Sequence, residues 1–342
     1  MQNVIPFGFM PFSAYFRHSE ISLMFCMKFY RLLFASTCAF LLIIAALTGC
    51  MDPPPKGSVM DTARPKVSFK AIHGIAYTEV RREYENGLGF HPEGYHLEPE
   101  WQITFLSEDT VRIYSIVKQR FIKQWVAVDH DSVANIAHSW VRVMKITPDS
   151  LKFQVLYVIN QKVDNESKGQ IFMTLYSNNY IKNVLHTTAA ELQKAPKRDS
   201  VYIAQKTKAA ATDYRKAFAA TEPVVLDSRV PQLTVTKEQV KEPDELKDVT
   251  LADNYLSPTF NIVIHKSYAD FDYYMQVIVD NDGKMHFIKS LNNMYDGAEN
   301  RLKVMKGIVD GYLTYYIKTT PGKTLGIPHA SYILVSVKGI KD

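Results

Sequence analysis

Every cysteine of this 342-residue chain lies within its first fifty positions, at Cys26, Cys38 and Cys50. Whatever folds after Cys50 does so without a disulfide, a thiolate zinc site, an iron–sulfur cluster or a cysteine nucleophile, and depends on its apolar core. The same segment carries an uncharged apolar run from Leu32 to Leu47, preceded by Met27-Lys28-Phe29-Tyr30-Arg31 and followed by Thr48-Gly49-Cys50. A short basic start, an apolar stretch and small residues before a cleavage point make up a secretory signal. A spanning helix would want ~20 apolar residues, and this run is shorter, so cleavage is expected rather than a transmembrane helix. Residues 1–26 fit poorly in front of such a signal because they hold Arg17, His18 and Glu20, which makes Met27 or Met24 the expected start.

The tetrapeptide Leu47-Thr48-Gly49-Cys50 resembles the lipobox of bacterial lipoproteins. That resemblance implies a mature chain beginning at an acylated Cys50, with palmitate-type chains holding it on its membrane. Met51 follows the cysteine and Asp52 comes only third, so by resemblance to enterobacterial sorting rules the inner-membrane aspartate is missing and outer-membrane placement is implied. Pro53-Pro54-Pro55-Lys56-Gly57-Ser58 then reads as a stiff, non-helical spacer.

Only Arg17, Lys28, Arg31 and Glu20 are lost with the leader, so the mature chain keeps nearly balanced charge. Interspersed charge on an exported chain implies no nucleic-acid partner. Short alternating runs of Tyr, Phe, Val and Ile predict many strands. Trp101, Ile103 and Phe105 alternate with polar residues, Ser107-Glu108-Asp109-Thr110 supplies a turn, and Val111 to Lys118 returns. Phe121 to Val128 is a further strand, and Trp140 to Ile146, Thr147-Pro148-Asp149-Ser150 and Leu151 to Ile159 repeat the hairpin. An antiparallel meander follows. Through Trp101-Gln102-Ile103-Thr104-Phe105 it resembles small lipocalin-like lipoprotein domains, which implies a barrel able to carry an apolar ligand. The residues by themselves favour an ordinary antiparallel sheet with one buried face.

The next region shifts to Ala, Lys, Gln and Thr, with Ala209-Ala210-Ala211, Tyr214 and Phe218 at helical spacing before Pro223, and then to the charged stretch Lys237 to Glu245. The C-terminal part predicts a strand at Tyr274 to Asp280, the tight turn Asn281-Asp282-Gly283-Lys284 and a partner strand from Met285 to Leu291. A helix capped by Asp296, with Glu299 three residues on, carries the stripe Ala298, Leu302, Met305, Val309 and Tyr312. The strand Tyr332 to Val337 ends the unit. Val277-Ile278-Val279-Asp280-Asn281-Asp282-Gly283-Lys284, the helix, Gly322-Lys323 and the strand from Ser331 together resemble the C-terminal domain of the TonB energy-transducer family. That implies a partner-docking fold, although Ile317-Lys318-Thr319-Thr320 stands where that family has a proline and a lipid anchor replaces its membrane helix.

The expected class is α+β: a strand-rich antiparallel N-terminal domain over 67–186, a helical connector and charged linker over 187–248, and a smaller ββαβ module over 249–342. Residues 1–49 are leader and signal peptide, and 50–66 the lipidated tether. The polar loop Gly89 to Glu100 offers His91, Glu93 and His96 as metal ligands, but its spacing matches no named motif and its ordinary reading is a solvated turn. Were those groups to converge, the loop would suit an envelope hydrolase. His130 between Asp129 and Asp131 reads as a loop, and His286 as a packed cross-strand residue. With no Gly-x-Ser-x-Gly, His-Glu-x-x-His or Walker motif, the expectation is a binding or scaffold protein without cofactor or catalysis. Its partners are the membrane, through lipidated Cys50, and an envelope protein docked on the C-terminal module at the strand edge after Ser331 and the helix face with Lys303 and Lys306.

Overall fold

The structure is a computed structural model that describes residues 67–116, 118–159, 162–163, 170–239, 251–292 and 298–341. The leader, Cys50, the tether, most of the charged linker and Asp296 lie outside the described residues. The class is α+β, with far more strand than helix.

The strands β1 (Ala76–Tyr84), β2 (Gln102–Phe105), β3 (Thr110–Ser115), β4 (Arg120–Val128), β5 (Val133–Ile136), β6 (Ser139–Ile146) and β7 (Ser150–Val155) form a meander. A small hairpin of β8 (Val158–Ile159) and β9 (Lys162–Val163) leads to β10 (Ile171–Ser177). The sheet closes: β1 pairs antiparallel with β2 on one side and β10 on the other, placing Tyr77 opposite both Ile103 and Ser177. This corrects the expectation of an open sheet with one buried face. Alternate residues are apolar around the ring, and closure lets that face cover itself without a second layer and leaves no edge strand.

The interior is filled by the chain's own side chains. Phe105, Leu151, Phe153, Met173 and Leu175 are all buried there. A 3₁₀ turn, Lys70–Ile72, plugs one end with Phe69 and Ile72, and the Phe69 ring stacks 4.2 Å from Phe105. The plug is tied down by Glu108, which accepts from Ser68 Oγ at 2.7 Å and from the Phe69 N–H at 3.0 Å. At this plugged end the Tyr77 hydroxyl donates to the Thr147 carbonyl at 2.8 Å, and burial with the nearby Asp149 charge pushes that phenol up to about 12. The opposite end, where β1 finishes, is covered by loop 85–101.

From β10 the chain passes through a π turn at Tyr180–Val184 into α1 (Ala189–Gln193) and α2 (Lys197–Thr212). Thr188 caps α1 by accepting from the Glu191 N–H at 3.3 Å. Asp199, Ile203, Thr207 and Ala210 form the buried stripe of α2. The helical run stops at Thr212, short of the Phe218 that its spacing had included, and a 3₁₀ turn at Tyr214–Lys216 follows.

β11 (Val225–Ser228) and β12 (Leu233–Lys237) precede β13 (Thr259–His265), β14 (Phe271–Val279) and β15 (Met285–Ser290). Then come α3 (Ala298–Gly307), a π turn at Ile308–Leu313, α4 (Thr314–Tyr316), β16 (Ile317–Thr320), β17 (Lys323–Thr324), β18 (Ile327–Pro328) and β19 (Ser331–Ile340). The main sheet has the order β12-β13-β19-β14-β15. It therefore draws β12 from within the stretch read as connector and linker. The last strand is not an edge: β19 lies between β13, which it pairs in parallel, and β14, which it pairs antiparallel. The strand edge after Ser331, expected to receive a partner, is covered on both sides.

Ile333, Val335 and Val337 of β19 pack with Met305, Val309 and Leu313 from the helical layer. Two members of the predicted stripe, Met305 and Val309, are buried, whereas Leu302 stays exposed and Leu313 is buried in place of Tyr312. The π turn adds a residue to the helical repeat and so shifts the buried face. The β14–β15 turn has the predicted chemistry: Gly283 sits at φ +81, and Asp280 Oδ1 accepts from the N–H groups of Asp282 and Lys284.

Candidate functional site at the loop end of the barrel

The run Glu79-Val80-Arg81-Arg82-Glu83 interrupts an otherwise alternating strand, and its structure explains why. Glu79 pairs with Leu175 but Arg81 pairs with Thr174, so Val80 is an extra residue in a β-bulge. Before the bulge Glu79 lies opposite Leu175, and beyond it Arg82 lies opposite Met173; both partners belong to the barrel core. Glu79 and Arg82 are thereby placed on the inner face, and Arg81 and Glu83 on the outer one.

Inside, the Glu79 carboxylate is 0% exposed. It accepts from Arg82 Nε at 2.8 Å and Nη2 at 2.7 Å, and from the backbone N–H groups of Glu100 and Trp101 at 2.9 Å each. Arg82 Nη1 also lies 3.7 Å from Glu100 Oε2. Burial works to lower the Arg82 pKa, but the charge and hydrogen bonds of Glu79 outweigh it and the net shift is upward. Tyr84, further along β1, has its hydroxyl held far above the ordinary phenol value by burial and by the neighbouring Tyr95 and Tyr157. Four hydrogen bonds on one buried carboxylate satisfy its lone pairs, which is the condition for a charge to persist in such a place.

Outside, Arg81 grips α2: its Nη1 lies 2.8 Å from Asp199 Oδ2, its Nη2 bonds the Gly87 carbonyl at 3.0 Å, and its Nε reaches Glu83 at 3.1 Å. The fully buried Asp199 also accepts from the Gly89 N–H at 3.2 Å. Gln193 of α1 donates to the Glu79 carbonyl at 2.7 Å, filling the acceptor that the bulge leaves open. A surface pocket of about 280 Å³ lies here, lined by Arg81, Lys194 and Arg198 among others. Its cations are already engaged, Lys194 with Glu191 and Arg198 with the Asn86 carbonyl.

Loop 85–101 lies over this end, and its histidines do not converge. His91 accepts from the Glu93 N–H and sits 5.9 Å, ring to ring, from Tyr84; burial pushes its pKa down. His96 stacks on Phe90 at 4.2 Å, and its Nδ1 lies 3.6 Å from Glu98. Among the described residues no three His, Cys, Asp or Glu side chains are grouped to hold a metal, so the candidates His91, Glu93 and His96 do not form one. The loop's polar groups instead reach across to the rest of the chain. The Ala219 N–H donates to the Glu93 carbonyl, Lys206 Nζ to the Pro92 carbonyl, and the His96 N–H to the Tyr255 hydroxyl. At Gly94, φ is +94, and a Cβ there would lie 2.3 Å from the Ala219 carbonyl oxygen, so this crossing requires glycine.

Three further histidines are packing groups or turn residues. His130 bonds Asp129 at 2.7 Å in an exposed turn. His286 stacks on Tyr214 at 4.0 Å and bonds Asp280 at 2.7 Å. His329, unremarked in the sequence, is 0% exposed, stacks on Phe218 at 3.8 Å, and bonds the Thr324 hydroxyl at 2.9 Å and the Ala330 carbonyl at 2.9 Å. Burial pushes its pKa down to about 4. The arrangement at the loop end can bind and orient by charge and hydrogen bond, but its groups are spent on fastening barrel, connector and C-terminal sheet together. Glu79, Arg82, Arg81 and Asp199 were the residues that sequence reasoning missed; the signal was a four-charge run in a strand context. No family model matches this sequence, and comparison with curated proteins yields no match.

Proposed function

We propose that this protein is a lipid-anchored, non-catalytic binding or scaffold component of the cell envelope, held through acylated Cys50 on the outer membrane and docking an envelope protein with its C-terminal module. The observation that carries the reading is the filled barrel beside an incompletely covered helix. The barrel interior is occupied by its own aromatic and aliphatic side chains, whereas Leu302 and Val304 of α3 and Ile288 of the adjoining edge strand β15 remain exposed. Exposed apolar side chains on a helix and its neighbouring strand suit a partner surface. The TonB-like order of hairpin, helix and last strand supports the same role. With β19 enclosed, the docking surface is α3 together with β15.

Two experiments test this. Labelled palmitate should enter the wild type and not Cys50→Ala, and the variant should leave the membrane fraction; retention of the variant after a high-salt wash would refute the anchor. A photoreactive residue at Leu302 or Val304 should crosslink an envelope protein that the same residue at Lys208, on α2, does not reach. Equal yields at both positions would refute docking on α3.

A second reading, a carrier of an apolar ligand, is favoured by the closed eight-stranded barrel, whose form is lipocalin-like. It requires side chains to vacate the interior. Organic extraction of purified protein should then release a stoichiometric lipid; the packed interior predicts none.

A further inference from the structure

We propose that the outer wall of the barrel over β3 to β6 is a binding surface for an anionic phospholipid bilayer. Five consecutive strands, β3 to β7, contain no Asp or Glu, yet they hold Arg112, Lys123, Arg142, Lys145 and Lys152, with Arg120 at the rim where β4 begins. The core positions Val111, Ile113 and Val126 point inward, so their alternates face out. The cross-strand pairs on that outer face are Arg112 with Lys123, Tyr114 with Phe121 and Thr110 with Trp125. Phe121 is 48% exposed and Trp125 44%, large values for aromatic side chains on a monomer's surface. Arg112 lies over the Phe121 ring at 5.3 Å, and Tyr114 meets the same ring edge-on at 5.3 Å. Met144 on β6 extends the exposed apolar surface.

The acids of the adjoining turns, Glu108, Asp109, Asp129, Asp131 and Asp149, sit at the plugged end rather than on the wall, Glu108 being bonded to Ser68 and Phe69. Asp109 is bonded to Ser107 and Thr110, and Asp129 to His130. The distribution around the ring is equally uneven. β5 is four strands from β1 in either direction, and the outer side of β1 is covered by α2 through Arg81 and Asp199. Cations and exposed aromatics thus occupy the side of the barrel that, among the described residues, no helix covers.

Charge complementarity and shape select the occupant. Cations beside Trp and Phe match a bilayer interface, where the ring enters the headgroup boundary while the charged heads remain with the lipid phosphates. A closed barrel presents a convex wall. A flat, yielding bilayer accommodates that shape, whereas nucleic acid and small ligands are usually held in grooves or clefts.

The test uses the full chain with vesicles of phosphatidylglycerol and phosphatidylethanolamine whose acyl chains are brominated, read by tryptophan fluorescence. Quenching is expected, with most of it lost in Trp125→Phe. Arg112→Glu with Lys123→Glu should weaken vesicle binding about tenfold or more, as removal of surface cations predicts, and the thermal melt reports whether that variant is folded. The proposal is independent of acylation, because an anchor alone holds the chain near the bilayer without bringing Trp125 to the acyl boundary. Equal quenching by phosphatidylcholine vesicles, unchanged quenching in Trp125→Phe, an unaffected charge-reversed variant, or capture of duplex DNA in place of vesicles would each overturn it.

Discussion

The barrel and the C-terminal sheet each bury polar side chains, and they do so by opposite means. In the barrel the buried group is ionic: Glu79 faces Arg82 and two backbone N–H groups at the point where β1 bulges. At the sheet it is neutral: His329 is pressed against Phe218, with Thr324 and the Ala330 carbonyl taking its two nitrogens. The ionic pair is costly to break on one side, because the surviving charge is largely shut off from water and keeps only the more distant Glu100. The neutral group is sensitive to protons, because the charged form it would take is the one that burial disfavours.

The largest effect should follow from breaking the barrel's pair. Glu79→Ala is expected to cost about 3–5 kcal/mol, since it strands Arg82 in the interior. Urea unfolding measures it, and the double variant with Arg82→Met should recover much of the loss. A single variant as stable as wild type would mean that Arg82 finds another partner.

The sheet's neutral histidine gives the next effect. Its folded pKa, about 4, lies below the ordinary 6.5. The unfolded chain therefore binds the proton first as pH falls, so the stabilisation is complete above roughly pH 6.5 and is lost progressively toward pH 4, in total about 3 kcal/mol. In His329→Gln, whose amide can still meet Thr324, the slope of stability against pH over that window should flatten. An unchanged slope would place the titration elsewhere.

A smaller effect distinguishes turn from core within the sheet. Gly283→Val should cost about 1–3 kcal/mol because φ is positive there. A Cβ would in addition lie 2.9 Å from the Thr319 carbonyl oxygen. A thermal melt of the full chain that does not move would contradict that geometry. The smallest effect is expected on the barrel wall. Phe121→Ser with Trp125→Ser should change stability by no more than about 0.5 kcal/mol, as for surface positions generally. A large loss would mean that these rings support the barrel rather than face a partner.

The same contrast accounts for what could be read from the residues. Hairpins were legible wherever turn chemistry lay between alternating runs, at Ser107 to Thr110, Thr147 to Ser150 and Asn281 to Lys284. Those signals are local, carried by residues that bond their own neighbours, as Asp280 does with Asp282 and Lys284. Closure of the barrel was not legible, because β1 hides its period behind the charges of the bulge and its second partner, β10, is remote in sequence. The central place of β19 depends in the same way on a parallel pairing of Thr259 with Leu334, which no short-range pattern announces. At the candidate site, the polar loop was visible as composition, but which of its groups were already engaged was not. That depends on Ala219, Lys206 and Tyr255, more than a hundred residues downstream.

The long reach of the barrel's closing seam has a kinetic consequence. Strand β1 is made early in the chain, yet it must wait for β10; the bond from the Thr78 hydroxyl to Asn178 alone spans 100 positions. Contacts of that range are slow to form, and until they do β1 presents an unpaired edge to any other chain. Among the eight barrel strands, β1 is the one that carries acidic residues, Glu79 and Glu83, with Arg81 and Arg82 between them. Charges on a waiting strand discourage pairing with a wrong neighbour. The bulge that bends β1 in the finished barrel thus also gives its nascent edge a guard against aggregation.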